Sequence, residues 1–272
     1  MKFFRLPFLD EKRLAIEVAA ETEFVMTALE TKHECSLRNE YFHNATFTNL
    51  YHYTRRYEYV YFSDLIAQCA KKNRAMTLLD IGCGITYAPF EYSKMTQTYD
   101  AIDLLDYREF WENVCDRVSF HQHDITTASF GEDKYDLVIS ISVLEHIPAQ
   151  QRLTALRNAV ESLKVGGVLA LTFDVDLEGG GAGFSFDELT EAIMMLQKLG
   201  LSPLSEIDLT TYDDILTSEP FIGLPKNRFR LPWRRRDEPT IFGKLFEKAF
   251  GIKNHVRGNS IAVVYGEFAK QL

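Results

Sequence analysis

From Thr77 onward, short apolar runs alternate along the chain with stretches of helical spacing. TLLDIG, YDAIDL, SFHQHD, YDLVISIS and VLALTFDV are β-rich and end near polar residues, which predicts strands. Between the last two, Ala149 to Leu163 sets Leu153, Leu156, Ala159, Val160 and Leu163 at helical spacing, with Gly166-Gly167 as the stop. The pattern returns over Phe186 to Leu199 before Gly200, and Ser260 to Phe268 reads as the last strand. Such alternation predicts an α/β fold, a doubly wound and mostly parallel sheet with helices on both faces.

The preceding seventy-odd residues read mostly as helix, most clearly over Arg55 to Ala70, so residues 1–75 are expected to form a helical extension or lid and 76–272 the main domain. Tyr212 to Gly258 separates two predicted strands by far more than the usual connection, so 212–258 reads as an insertion before the last strand.

Composition narrows the class. A chain of 272 residues, 46% hydrophobic and 25% charged, suits one sizeable core. The formal charge of -9 repels a polyphosphate backbone and argues against nucleic acid as the main partner. Cys35, Cys69, Cys83 and Cys115 lack paired spacing, which argues against a zinc cluster or disulfide framework and makes a reducing cytoplasm the simplest home. The opening MKFFRLPFLDEK is a poor signal peptide, and no apolar run approaches a membrane span.

Within TLLDIGCGITYAP, Gly82 and Gly84 stand where the first strand of an open parallel sheet turns into its helix and backbone approaches a ligand. A dinucleotide fingerprint needs a third glycine at Tyr87, and Asp80 would oppose a pyrophosphate, so an NAD-dependent oxidoreductase fits poorly. Asp103, Asp124 and Glu145 follow the second, third and fourth strands. An acid-rimmed site suits a ligand with cationic groups, ribose hydroxyls and an exocyclic amine, the inventory of S-adenosylmethionine.

Over about Thr77 to Phe268 the chain resembles the class I S-adenosylmethionine-dependent methyltransferases, with five segments in order. LLDIGCG resembles the first motif through Asp80, Gly82 and Gly84, with Cys83 a small residue in the same turn and Thr86 where the family usually has another glycine. YDAIDL resembles the second strand, whose terminal acid, here Asp103 beside Leu104, holds the ribose hydroxyls. HQHDITTASF resembles the segment whose Asp124 accepts from the adenine amine while Ile125 packs on the ring. YDLVISISVLEHI and LKVGGVLALTF resemble the next two strands, and Ser142 joins the cofactor site. The resemblance implies a Rossmann-like seven-stranded sheet, with Leu204 to Thr210 and Ser260 to Phe268 as its closing pair. RRYEYVYF also resembles a segment seen in bacterial members acting on glycans or small metabolites, which would pair Arg56 with the methionine carboxylate and close Tyr53 or Tyr57 over the cofactor. An aromatic stripe of this kind equally suits core packing.

Methyl transfer from a sulfonium is an in-line displacement, accelerated largely by positioning and desolvation. His146 is the best-placed general base for an oxygen acceptor, with Glu145 beside it; the alternative is that both merely support the loop. Asp174 at the end of the fifth strand is a candidate for acceptor hydroxyls. His121, His123 and Asp124 lack a further ligand at recognised spacing, so no metal is expected. In the insertion, KNRFRLPWRRR interleaves Arg228, Arg230 and Trp233, suiting an anionic or sugar-like acceptor or contact with a membrane surface. The expected activity is methyl transfer to an oxygen, less readily a nitrogen, of a small metabolite or glycan precursor. The competing reading is a non-catalytic cofactor-binding protein that contacts a partner through the insertion.

Overall fold

The computed structural model describes residues 2–3, 11–30, 53–176, 183–204 and 261–271. Strands are β1 (Lys2–Phe3), β2 (Thr77–Ile81), β3 (Thr98–Asp103), β4 (Val118–Gln122), β5 (Tyr135–Ile141), β6 (Leu163–Asp176), β7 (Leu201–Pro203) and β8 (Ile261–Lys270). Helices are α1 (Glu11–Glu30), α2 (Tyr53–Lys72), α3 (Tyr87–Tyr92), α4 (Arg108–Val114), α5 (Ala149–Glu161) and α6 (Phe186–Lys198).

One sheet runs in the order β1-β8-β6-β5-β2-β3-β4, with β7 also pairing β8. Pairs among β2 to β6 are parallel, while β8 is antiparallel to β6, β7 and β1. Seven strands meet the expected doubly wound α/β sheet, and the two-residue β1 adds an eighth at its edge. The strand before the insertion forms at Leu201–Pro203, and Leu204 continues its contact by donating to the Glu267 carbonyl at 3.0 Å. The expected strand residues 205–210 and the insertion 212–258 lie outside the described residues.

Side chains alternate across the sheet as the pleat requires. Leu79, Val138, Leu169 and Leu171 pack with Leu156, Val160 and Leu196 of α5 and α6. Their neighbours Leu78, Leu137, Ile139 and Ala170 face Phe24, Phe62, Ile66 and Trp111 from α1, α2 and α4. Each such apolar side chain contributes about 1.5–3 kcal/mol when fully buried. The described part of the N-terminal extension therefore shares a core with the sheet.

Gly166-Gly167 does not stop the helix. Ser162 caps α5, and both glycines lie inside β6, where the register against β5 shifts between Tyr135 and Leu137. A Cβ on Gly167 would stand 2.9 Å from the Lys164 carbonyl and 3.0 Å from that of Tyr135, so a close backbone approach explains this glycine. The start of α6 follows its sequence: Ser185 accepts from the Glu188 amide at 3.2 Å, and Glu188 accepts from the Ser185 amide at 2.8 Å.

Candidate active site

β2 lies between β3 and β5, so the chain leaves it in opposite directions along the sheet and opens a crevice at the strand C-termini. The glycine turn occupies that place. Gly82 (φ 73°) and Gly84 (φ 56°) are both left-handed, a conformation glycine takes without steric cost. The Gly82 and Cys83 amides donate to the Ile102 carbonyl at 2.8 and 3.2 Å, fastening the turn to β3. A Cβ at Gly82 would fall 2.4 Å from Val143, whereas at Gly84 it would meet only Thr86, at 3.8 Å. One glycine permits the turn to pack on the end of β5; the other leaves room above it.

Asp103 ends β3 with its carboxylate braced by main-chain donors: Gly84 N–H to Oδ2 and Leu105 N–H to Oδ1, each at 3.0 Å. Trp111 ties the same turn down by donating its indole N–H to the Gly84 carbonyl at 3.2 Å. Leu104, beside Asp103, is exposed and gives the rim an apolar lip. Asp124 accepts on Oδ1 from the Thr126 amide and hydroxyl at 2.9 and 2.7 Å. Neighbouring Ile125 is buried, and its carbonyl accepts from Asn158 Nδ2 at 2.6 Å.

Asp80 is buried below the turn and accepts from the Tyr99 hydroxyl at 2.6 Å. Burial raises its carboxyl, the Tyr99 bond opposes the rise and the Asp103 charge adds to it, leaving it pushed up to about 7. Cys83 is likewise buried, and desolvation with Asp80 and Asp103 nearby pushes its thiol well above the usual range, so it is a packing residue and not a nucleophile. Tyr87, at the third fingerprint position, is fully buried and donates to Glu17 of α1 at 2.8 Å, and a glycine there would lose both the packing and the bond.

At the end of β5, Ser142 adopts φ 50° and its amide donates to the Thr172 carbonyl at 2.9 Å. A short 3-10 turn over Leu144–His146 follows. Arg152 of α5 holds it, donating to the carbonyls of Ile147 at 2.9 Å and Glu145 at 3.2 Å while pairing with Glu188 at 2.9 Å. Glu145 Oε2 is buried and, among the described residues, has no hydrogen-bond partner. Burial and then the charge of Asp174 push its carboxyl well above the ordinary range. His146 is exposed; partial desolvation and then the Arg55 cation hold its imidazole below the usual value, favouring the neutral form that accepts a proton.

Asp80, Gly82, Cys83, Gly84, Asp103 and Leu104 thus adjoin one turn, while Asp124 and Ile125 follow β4, and Ser142, Glu145, His146 and Asp174 follow β5 or end β6. Arg56 lies on α2, but its side chain, like those of Tyr53 and Tyr57, is outside the described residues, as are Arg228, Arg230 and Trp233. His121 contacts Ser119 at 3.0 Å and His123 the Ala128 carbonyl at 2.9 Å. Among the described residues no group of three or more His, Cys, Asp or Glu is placed to hold a metal, and no helix is long and apolar enough to cross a membrane. An open hollow of about 550 Å3 beside Cys115 and Arg117 lies near the start of β4, away from this crevice.

Sequence reasoning missed Arg55, Glu58, Arg152 and Thr172. Glu58 is fully buried on α2, with Oε2 accepting from Arg55 at 2.5 Å and Oε1 from Ser142 and Thr172 at 2.6 and 2.7 Å. A polar Glu within an aromatic helical stripe was the available cue.

A family model described as a methyltransferase domain matches residues 51–202, from α2 through the start of β7. The chain belongs to this methyltransferase family. Its methyl donor is S-adenosylmethionine, and the residues present fit it: Asp103 at the end of β3 and Asp124 after β4 are acceptors of the kind that ribose hydroxyls and an exocyclic amine require, beside a glycine turn with space above it. No curated protein matches the chain. Solved structures similar to this methyltransferase include a TehB-like SAM-dependent methyltransferase from Corynebacterium glutamicum, at 18% identity and TM-score 0.44, covering 72% of this chain and 81% of that one. The N-methyltransferase NodS from Bradyrhizobium japonicum, at 14% identity and TM-score 0.46, covers 81% and 98%. The [4+2]-cyclase SpnF, at 17% identity and TM-score 0.47, covers 78% and 80%.

Proposed function

We propose that this methyltransferase places its donor along the crevice from Asp124 to Ser142 and alkylates an oxygen, less readily a nitrogen, of a small metabolite or glycan precursor. The observation that carries the reading is Asp103: two main-chain amides fix its carboxylate at the end of β3 while its remaining lone pairs stay available to ribose hydroxyls. Asp124 has one oxygen engaged by Thr126 and the other available to an amine, with Ile125 beside it for the ring. When bound, S-adenosylmethionine supplies an electrophilic methyl group on a sulfonium.

The chain's own contribution beyond binding is to exclude water and handle one proton. An attacking hydroxyl must lose its proton, and His146, on the 3-10 turn that follows β5 and held toward its neutral form, is its acceptor in this reading. Asp174, near the end of β6, is the proposed partner of acceptor hydroxyls. Arg228, Arg230 and Trp233 favour an anionic acceptor such as a phosphate-bearing sugar or a carboxylate by their composition.

The test is transfer of labelled methyl from S-adenosylmethionine to a panel of hydroxylated, amine-bearing and sugar-phosphate acceptors. Transfer to a hydroxyl compound, reduced on the order of a hundredfold in kcat by His146→Ala with little change in donor affinity, is expected. The acid limb of the kcat profile should fall below the usual histidine value, because desolvation and Arg55 depress that group. Transfer to amines alone, or an unchanged kcat in the variant, would remove the oxygen and base assignments respectively.

A further inference from the structure

We propose that Glu58 is a positioning residue for the donor site: from helix α2 it fixes the turn after β5, against which the glycine turn rests. The inference depends on the donor occupying the strand-end crevice as described above.

Glu58 has no solvent exposure, yet its carboxylate is engaged on both oxygens by donors from three elements. Arg55 supplies charge and a hydrogen bond at 2.5 Å from the preceding helical turn. Ser142 at the end of β5 donates at 2.6 Å and Thr172 on β6 at 2.7 Å. A carboxylate removed from water is retained only when such partners replace its hydration, so this geometry is tightly specified.

What it specifies is the conformation of Ser142. A serine at φ 50° is an uncommon state that the surroundings must hold. Two bonds hold it: the hydroxyl to Glu58 and the amide to the Thr172 carbonyl. The next residue, Val143, places both methyl groups in the space that Gly82 leaves by lacking a Cβ. Gly82 is fastened to the Ile102 carbonyl, and two residues on, the Gly84 amide braces Asp103. The contacts therefore run without a gap from Glu58 through Ser142, Val143 and Gly82 to the carboxylate assigned to the ribose.

Glu58 also sets the direction of a cation. Arg55 is within electrostatic reach of Glu145 as well as Glu58, and its guanidinium depresses His146. Engaged by Glu58, Arg55 keeps a fixed position near the 3-10 turn. With a neutral residue at 58, Glu145 remains as a competing partner, and the cation is expected to shift toward the residues proposed to handle the acceptor proton.

The test measures S-adenosylhomocysteine affinity by calorimetry and Tm by scanning for the native protein and for Glu58→Gln, Ser142→Ala and their double variant, with Lys134→Ala, which breaks an ion pair to Asp100 near the strand beginnings, as the control. Glutamine keeps the volume but removes the charge that engages Arg55, and with its amide oxygen kept toward that cation its N–H2 faces the Ser142 and Thr172 hydroxyls, which then accept where they had donated. Each of the first two variants should weaken binding by about tenfold, the double variant should be no weaker than the weaker single one, and Lys134→Ala should bind as the native protein does. Should Glu58→Gln fail to fold, Ser142→Ala, which leaves the Glu58–Arg55 pair intact, carries the decision. A lowered Tm with native affinity in Ser142→Ala and Glu58→Gln would make Glu58 a structural brace and overturn the proposal. Absence of S-adenosylhomocysteine binding by the native protein would instead strike the donor-site reading, and this inference with it.

Discussion

The two ends of the central strands treat their carboxylates in opposite ways. Toward the strand beginnings, Asp100 is paired with Lys134 at 2.7 Å and accepts from Tyr135 at 2.6 Å, while Asp136 meets Lys164 at 3.0 Å and Thr77 at 2.8 Å. Burial raises both carboxyls, but these partners outweigh it and hold them below the usual range. At the strand C-termini, among the described residues, Asp80 accepts from a tyrosine hydroxyl, Asp103 from main-chain amides, and Glu145 Oε2 has no hydrogen-bond partner. Asp80 and Glu145 are shifted up. The acids are paired with cations near the strand beginnings, and their capacity is left more open at the end where the cationic, hydroxyl-rich donor is proposed to sit.

The largest effect on this contrast should come from the backbone of the glycine turn. Gly82→Ala must displace Val143 from 2.4 Å and tolerate φ 73°, so a loss of about 1–3 kcal/mol is expected in denaturant melts. Gly84→Ala meets nothing closer than 3.8 Å, so it should cost less stability while still weakening donor binding. Equal stability losses would remove the distinction between a packing glycine and a ligand-facing one.

Asp80→Asn sharpens the comparison through pH. The native carboxyl holds its proton up to about pH 7, whereas in the unfolded chain it releases it near 3.8. Between these values the native state binds more protons, so stability falls as pH rises through that window and levels off above it. Asparagine keeps an acceptor for Tyr99 and cannot ionise. Its Tm advantage over the native protein should therefore appear above about pH 4 and grow to about pH 7, with donor affinity reduced. Parallel Tm curves would mean that Asp80 is not buried as described.

The smallest effect belongs to the strand beginnings. Lys134 is half-exposed, so Lys134→Ala should cost only about 0.2–1 kcal/mol and leave donor affinity unchanged. Because the Asp100 carboxyl is depressed, this contribution is present at neutral pH and is lost as pH falls through its folded value. A change in donor affinity would break the separation of the two ends.

The glycine turn and the acids after β2 to β5 were legible because their meaning is local: a strand, a turn and a helix start lie within a dozen residues. Tyr87 was correctly read as excluding a third glycine, but its bond to Glu17, seventy positions away, was not. Glu58 escaped for the same reason, since its partners Ser142 and Thr172 lie 84 and 114 positions distant and meet it only once the sheet is wound. Gly166-Gly167 was misread because a glycine pair marks a helix end and a close strand approach alike. The basic insertion carries chemistry in its composition, but its residues lie outside the described part of the chain.

Calorimetric titration with S-adenosylhomocysteine and with NAD, on the native protein and on Asp103→Ala, tests the central claim most directly. The account predicts saturable binding of S-adenosylhomocysteine by the native protein and no binding of NAD. The variant should bind about ten- to a hundredfold more weakly, as expected for lost hydrogen bonds to a charged acceptor. Native binding of NAD in place of S-adenosylhomocysteine, or undiminished affinity in Asp103→Ala, would contradict the proposed donor site.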